Sequence, residues 1–334
     1  MKLIRVVPYG LGPIGCATVR ALLDKPGISI VGAVDIDPEK AGKDLGNVAG
    51  LGRRLGVLVS KDAAAVFKKT KPSVVTHTTS SFFKSAYDQL ALAASQGINV
   101  VSSTEELLYP HLRNPDLARK LDRLACRNGA TLLGTGVNPG FVMDTLALVL
   151  TGVVKRVDRI RIERRVNAAT RRQPLQRKVG AGMKPEEFVK LAKQGKIGHI
   201  GLLESMYLVA AGLGWKLDKH AERIEPVIAA TRQTTEYFTV EPEEVAGIKH
   251  TASGFCGKRL VIDLDLRMYI GAQDPCDRIE IEGDPNLTLM IPGGVPGDVA
   301  TVASLINAIP RVLEAEPGLK TMLDLPVPRA FRAI

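Results

Sequence analysis

The sequence predicts an α/β fold: an N-terminal, doubly wound parallel sheet followed by a second, α+β domain on an open sheet. Three observations predict it. Over roughly the first 135 residues, short continuous apolar runs alternate with helical patterns. The first of those runs, LIRVVPYG, ends in a glycine-rich turn that opens a helix. From about residue 150 the strands alternate apolar and charged residues, as in VDRIRIERRV. Strands buried on both faces read as unbroken apolar runs, whereas strands with one wet face alternate.

The elements follow in order. After LIRVVPYG, the segment PIGCATVRALLDK is a helix with Ile14, Val19, Leu22 and Leu23 on one stripe. ISIVGAVD is a second buried strand. A helix near 62–68, a strand at PSVVTHTT, a helix at 82–96 and the strand INVVSS come next, then a helix near 114–128 and the strand ATLLGT. TLALVLTGVV has about half the ~18–20 apolar residues of a membrane span and reads as a buried helix. The middle of the second domain is helical and glycine-punctuated, from PEEFVKLAKQGK to ESMYLVAAGLGW. TEYFTV, IKHTASGFC, RLVIDLDLRMYI, DRIEIEG and LTLMI are its further strands. PGDVATVASLINAIPRVL is a strong helix that either completes the first domain or caps the site.

Composition narrows the function. The chain has 334 residues, 45% of them apolar, enough for a real core. Its net charge of +10 is concentrated in 155–178, KRVDRIRIERRVNAATRRQPLQRK. A nucleic-acid surface would need interleaved aromatics for base stacking or a recognisable motif, and neither is present. The run reads instead as a solvated sheet face that also attracts an anionic cofactor. Cys16, Cys126, Cys256 and Cys276 are scattered without CxxC spacing, as expected of reduced thiols in a cytoplasmic protein. MKLIRVVPYG has no secretory apolar region, and no His/Cys/Asp/Glu cluster has metal-ligand spacing.

The turn VVPYGLGPIGCATV carries Gly10, Gly12 and Gly15 in G-x-G-x-x-G spacing. Its position after a strand and before a helix makes it a Rossmann-type fingerprint for NAD or NADP. The first glycine permits the tight turn, the second admits a pyrophosphate, and the third lets helix and strand pack closely. Leu11, Pro13 and Ile14 complete the loop, with Pro13 suited to the first helical turn. Asp35 ends the second strand about 20 residues later, where an acid binds ribose hydroxyls and favours NAD. Lys40, Arg53 and Arg54 are cations near enough to soften that preference. Ligands of such sheets lie beyond the strand ends, where Thr78, Thr79, Ser80, Ser102 and Ser103 offer small hydroxyls for ribose and nicotinamide. The same residues also serve as turn formers and caps.

One strand end, VSSTEELLYP, carries two adjacent acids, Glu105 and Glu106. Ser103-x-x-Glu106 matches a capping box, which gives Glu106 a structural task and leaves Glu105 for chemistry. In the alternative register Ser102-x-x-Glu105 is the box and the roles exchange. Either acid lies where a nicotinamide is expected, and a carboxylate in a partly closed pocket can exchange protons near neutral pH. Past the strand LLGT, the segment Asn138, Pro139, Phe141, Met143 and Asp144 is the expected pocket wall. Asn138 either holds the nicotinamide amide or belongs to a simple turn. His199, between glycines in GHIG, either contacts substrate or is structural.

The motifs YGLGPIG, VDIDPEKAGKDLG, STEELLYP, LLGTGVNPGFVMDTLAL, RRQPLQRKVGAGM and IGHIGLLES together resemble the NAD(P)-dependent 2,4-diaminopentanoate dehydrogenases and native amine dehydrogenases, distant relatives of dihydrodipicolinate reductase. The resemblance covers nearly the whole chain. It implies a homodimer that interconverts an amine with a ketone or aldehyde plus ammonia, using the glutamate of the motif written here STEEL. Thr104 stands where a smaller or sulfur-bearing residue is expected. The paired-histidine helix and KxDxPSGT-like loop of dihydrodipicolinate reductases are absent, which argues against that activity. The expected domains are residues 1–140 for the dinucleotide, with 297–334 in one reading, and 141–296 for substrate and dimerisation. Arg164, Arg165, Arg171 and Arg172 are candidates to hold a substrate carboxylate. The competing readings are a homoserine- or diaminopimelate-type dehydrogenase on the same scaffold, and a non-catalytic dinucleotide sensor.

Overall fold

The computed structural model describes residues 3–331. The chain divides into two compact units, Met1–Phe141 with Pro296–Ile334, and Val142–Val295.

In the first unit β1 (Ile4–Tyr9) runs into α1 (Pro13–Leu23). β2 (Ile28–Ile30), β3 (Ala33–Val34), a one-turn α2 (Leu45–Val48), β4 (Val59–Ser60) and α3 (Ala63–Thr70) follow. Then come β5 (Val74–His77), α4 (Phe83–Ser95), β6 (Asn99–Ser102), α5 (Pro115–Asn128) and β7 (Thr131–Gly134). Local chemistry sets the helix ends. Asp62 caps α3 by accepting the Ala65 N–H at 2.9 Å, and Pro115 opens α5 while Gly129, with φ +70°, closes it. The run ISIVGAVD is broken into β2 and β3. At the break a Cβ on Gly32 would lie 2.7 Å from Val66 Cγ1, so α3 packs on bare backbone there.

In the second unit α6 (Thr145–Thr151) leads to β8 (Arg156–Asn167), α7 (Gln173–Lys178), α8 (Pro185–Lys193) and α9 (Leu202–Gly212). β9 (Lys219–Ile228), β10 (Gln233–Thr234), β11 (Thr239–Val240), β12 (Val245–Cys256), β13 (Arg259–Tyr269), β14 (Cys276–Asp284) and β15 (Leu287–Pro292) follow. Six of these strands form a mixed sheet in the order β15-β14-β8-β13-β12-β9, with β8 and β13 parallel. α9 packs on β12 and β13. The two-residue period of β8 buries Ile160 and Ile162 and leaves Arg159, Arg161, Glu163 and Arg165 on the other face. There Arg159 and Arg161 pair with Asp263, Glu280 and Glu282 at 3.3–3.9 Å. The basic run is thus threaded with carboxylates from neighbouring strands.

Three expectations for this unit need correction. TEYFTV is a turn rather than a strand, because Thr235 Oγ1 accepts the N–H groups of Tyr237 and Phe238 at 3.1 and 2.9 Å. Only Thr239–Val240 pairs, with β10. β9 is a ten-residue strand that the sequence concealed, since this sheet edge is largely exposed and carries few apolar residues. The segment TLALVLTGVV does form a helix at α6, but Val149 is 49% exposed.

The chain then returns to the first unit through α10 (Gly297–Glu314) and β16 (Gly318–Lys320). β16 adds in parallel to β7, and the first sheet runs β16-β7-β6-β5-β1-β3-β4, with β2 also on β1. Every pairing in it is parallel. α10 lies beside α1 and packs on β5, β6 and β7. Val75, Phe83, Leu90, Val100, Leu121 and Leu132 belong to one buried cluster that joins the sheet to α4 and α5. Helices cover both faces, as a sheet of unbroken apolar strands requires. No helix among the described residues is long and apolar enough to cross a membrane.

Candidate functional site

β1 and β5 lie side by side, although the chain builds β3 and β4 on the far side of β1 before returning to β5. This is the switch point at which open α/β sheets bind ligands. The glycine loop leaves β1 there. Gly10 has φ +92°, and a Cβ on it would sit 2.7 Å from the Thr78 carbonyl oxygen. A Cβ on Gly15 would sit 1.9 Å from the Gly10 oxygen, which already accepts the Thr78 hydroxyl at 2.7 Å. Gly12 is different: nothing lies within 4 Å of its Cβ position. It is the N-cap of α1, no side chain caps it, and Pro13 follows. An uncapped helix N-terminus beside open space fits a dinucleotide pyrophosphate in both room and polarity. Gly15→Ala is expected to weaken NADH binding at least about tenfold, because the added methyl meets backbone that cannot yield. Titration of NADH fluorescence checks this, and wild-type affinity in the variant would contradict it.

Leu11 is 1% exposed and packs with Val19, Ala33 and Leu45. Its N–H donates to Asp35 Oδ2 at 2.6 Å. Leu11, expected to bind cofactor, is therefore a core residue whose amide is already engaged. Asp35 is 8% exposed. It also accepts the Asp37 N–H at 2.9 Å, and Lys40 Nζ lies 3.4 Å from Asp35 and 3.1 Å from Asp37. Burial opposes the lysine's charge, but its hydrogen bond to Asp37 and the field of Asp35 outweigh this and raise its pKa. The acid at the strand end thus fastens the glycine loop.

The two glutamates have unequal surroundings. Neither capping box forms: residues 105–108 make a short 3-10 turn with Thr104 as N-cap and no side-chain cap. Glu106 is 8% exposed. Its Oε2 accepts the Phe83 N–H at 2.8 Å, and Arg113 Nε lies 3.7 Å from Oε1. It therefore caps the first turn of α4, which has no side-chain cap of its own. Glu105 is half-buried, and its side chain makes no hydrogen bond or ion pair among the described residues. The turn presses on β7, where a Cβ on Gly134 would lie 2.5 Å from the Leu107 carbonyl carbon.

The strand-end hydroxyls divide. Ser102 is 0% exposed; its Oγ lies 2.9 Å from His77 Nδ1 and accepts the Thr104 N–H at 3.1 Å. Burial thus removes it from the expected cofactor contacts. Ser80 Oγ accepts the Phe82 N–H at 3.1 Å, a turn role. Thr78 is half-buried, Thr79 exposed and Ser103 half-buried, so these keep accessible surface. His77, which the sequence reading passed over, is buried at the end of β5 with both ring nitrogens bonded. Burial drives its pKa down to about 4, against the Gln89 hydrogen bond. Its position as the last strand residue before TTSS was the available signal.

Asn138 is half-buried, and its Oδ1 is buried without a hydrogen-bond partner. An unmet acceptor of this kind suits a carboxamide N–H2. Pro139 is buried and Phe141 half-buried. Met143 and Asp144 are fully buried and do not form a pocket wall. Asp144 Oδ1 accepts the Thr145 N–H at 2.6 Å as the cap of α6, and Oδ2 accepts the Ser205 hydroxyl at 2.7 Å.

In the second unit, Arg164 is committed to Asp277 at 2.6 Å and to the Val295 carbonyl at 2.7 Å. Arg165 pairs with Glu163 at 2.6 Å. Neither guanidinium is unclaimed for a substrate carboxylate. His199 Nε2 is buried without a hydrogen-bond partner. Burial first, then His250, Lys178 and Arg164, hold its pKa well below the usual value, so the ring is neutral. No group of three or more His, Cys, Asp or Glu among the described residues could hold a metal ion.

Comparison with known proteins shows the family. Residues 141–333 match the family model of the 2,4-diaminopentanoate dehydrogenase C-terminal domain, and residues 4–107 match that of the dihydrodipicolinate reductase N-terminus. The chain is 36% identical to 2,4-diaminopentanoate dehydrogenase of Acetoanaerobium sticklandii, over 99% of this chain and 96% of that one. It is 27% identical to an amine dehydrogenase of Streptomyces virginiae, over 97% of each. The solved structure of amine dehydrogenase from Mycobacterium smegmatis matches with a TM-score of 0.87 and 32% identity, covering 98% of this chain and 97% of that one. Dihydrodipicolinate reductase from Paenisporosarcina sp. TG-14, with a TM-score of 0.54 at 13% identity, shares the fold alone. This chain belongs to the 2,4-diaminopentanoate dehydrogenase family.

Proposed function

We propose that this protein is an NAD(P)-dependent amine dehydrogenase. It carries out the reversible oxidative deamination of 2,4-diaminopentanoate or a simple amine to a ketone or aldehyde plus ammonia, with Glu105 as the acid/base. The observation that carries the assignment of Glu105 is the contrast between the two acids: Glu106 is held by Phe83, and Glu105 is left half-buried and unpaired among the described residues.

A bound nicotinamide would supply the hydride acceptor for the carbon that bears the amine. Glu105 then takes a proton from the water that attacks the resulting substrate iminium, and a C–O bond forms. It returns that proton to the nitrogen and then takes the carbinolamine hydroxyl proton as the C=O bond forms and the C–N bond breaks, releasing ammonia. One carboxylate serves both steps because the second is the reverse protonation of the first. Gly10, Gly12, Pro13, Ile14 and Gly15 would hold the pyrophosphate, and Thr78, Thr79 and Ser103 would line the ribose and nicotinamide. The Asn138 Oδ1 would take the nicotinamide carboxamide N–H. Pro139 and Phe141 would supply apolar surface for substrate. On cofactor choice we favour NAD: Asp35 at the strand end would repel a 2′-phosphate, and Lys40 is already paired with Asp35 and Asp37. We assign the protein to the cytoplasm as a homodimer, on the family resemblance and the four free cysteines.

The test is NADH and NADPH oxidation with ammonium and a panel of small ketones and aldehydes, including 2-amino-4-oxopentanoate. Ammonia-dependent oxidation, faster with NADH, is expected. Tight cofactor binding with no ammonia-dependent turnover would favour another dehydrogenase or a sensor.

A further inference from the structure

We propose that His77 is a positioning residue for the reaction: a neutral imidazole that ties the ends of β5 and β6 together and fixes the backbone carrying Glu105. The inference rests on the reading of Glu105 as acid/base.

The bonding pattern is specific. Nε2 lies 2.8 Å from Gln89 Oε1 and 3.0 Å from Thr79 Oγ1. The Thr79 hydroxyl also donates to Gln89 Oε1 at 2.7 Å. An amide oxygen only accepts, so the ring proton sits on Nε2 and Nδ1 is the acceptor. The hydroxyl 2.9 Å from Nδ1, that of Ser102, must then donate to it. Its remaining capacity accepts the Thr104 N–H at 3.1 Å, with the Thr104 hydroxyl 3.0 Å away. The His77 carbonyl accepts the Ser103 N–H at 3.0 Å. The three residues immediately before Glu105 are therefore each tied to His77, directly or through Ser102.

Its placement gives this bridge a purpose beyond filling space. The ring is 1% exposed and meets Tyr9 edge-on at 5.6 Å, and an apolar side chain would fill such a site without the cost of burying two polar nitrogens. What an apolar residue lacks is direction. α4 is fastened to the same strand ends twice, by Gln89 to His77 and by Phe83 to Glu106. The 3-10 turn is thus held from two sides while Glu105 keeps its carboxylate uncommitted. A neutral bridge also adds no charge next to a group that must gain and lose a proton.

The experiment uses His77→Leu, His77→Asn and Ser102→Ala, each in the wild-type and the Glu105→Ala backgrounds, with kcat, KM and NADH dissociation constants measured for all. His77→Leu is expected to lower kcat about 10- to 100-fold, the scale of a small misplacement of a reacting group, with NADH affinity within about threefold. Asparagine places an amide oxygen near the Nδ1 position and is expected to restore most of kcat. In the Glu105→Ala background, His77→Leu should cost nothing further, because a residue that acts through Glu105 has nothing left to position. Ser102→Ala breaks the same bridge from its other end with a smaller change. It is expected to reproduce the kcat loss, and it carries the test if the leucine variant does not fold. Multiplicative losses in the double variants, or equal losses of kcat and NADH affinity, would overturn the proposal. Undiminished turnover by Glu105→Ala alone would instead remove the acid/base reading on which it rests.

Discussion

Glu105→Ala is expected to lower kcat for ammonia-dependent turnover by about 10²- to 10⁴-fold, the usual worth of a positioned acid/base. Glu106→Ala is expected to keep kcat within a few-fold. The two carboxylates are adjacent in sequence but differ in what they hold. Glu106 accepts a backbone N–H from the first turn of α4 at 2.8 Å, a charge-assisted bond at the positive end of a helix dipole. Its removal should therefore appear as lost stability, about 1–2 kcal/mol, the value of a helix cap. Glu105 supports no such bond, so its removal should leave the unfolding midpoint nearly unchanged. Steady-state kinetics and urea denaturation on the two variants separate the cases. A dead but stable Glu106→Ala beside an active Glu105→Ala would reverse the assignment.

Lowering the pH from neutrality is expected to destabilise the protein before its carboxylates begin to protonate. Burial holds the His77 pKa at about 4 in the folded chain, against ~6.5 when unfolded. Between those values the unfolded chain binds a proton that the native state refuses. Stability then rises with pH across the window and is lost as pH falls through it. For His77 the full gap is worth about 3 kcal/mol. His199 acts with the same sign, since burial first and then the nearby positive charges hold its pKa well below normal. Above pH ~6.5 both contributions are complete and the curve should flatten. Urea midpoints at pH 7.5, 6 and 5 test this. His77→Asn, which cannot titrate, should remove part of the slope, and a wild-type midpoint unchanged between pH 7.5 and 5 would contradict it.

Local rules were most legible where one stretch of chain carried the whole instruction. The parallel sheet followed from unbroken apolar strands such as those containing Val74 and Val100, because a strand covered on both faces needs apolar residues at every position. The glycine turn was equally legible, since Gly10 and Gly15 answer to collisions with backbone a few residues away or at the neighbouring strand end. β9 was concealed for the opposite reason: a largely exposed edge strand has little hydrophobic pattern to show. The STEEL segment misled because Ser103 and Glu106 have capping-box spacing, yet the amide that needed Glu106 belonged to Phe83, 23 residues away.

The sequence by itself determined the fold class, the glycine loop with its acid at Asp35, and the adjacent pair of acids that follows β6. Periodicity and short-range sterics are properties of adjacent residues and survive without coordinates. Tertiary structure alone decided which groups were already engaged: Ser102 with His77, Asp144 with Ser205, Arg164 with Asp277, and Glu106 with Phe83. A carboxylate or hydroxyl looks the same in a sequence whether its lone pairs face open space or a backbone N–H brought from another element. Only folding chooses between those partners, and at this strand end that choice leaves Glu105 unpaired among the described residues.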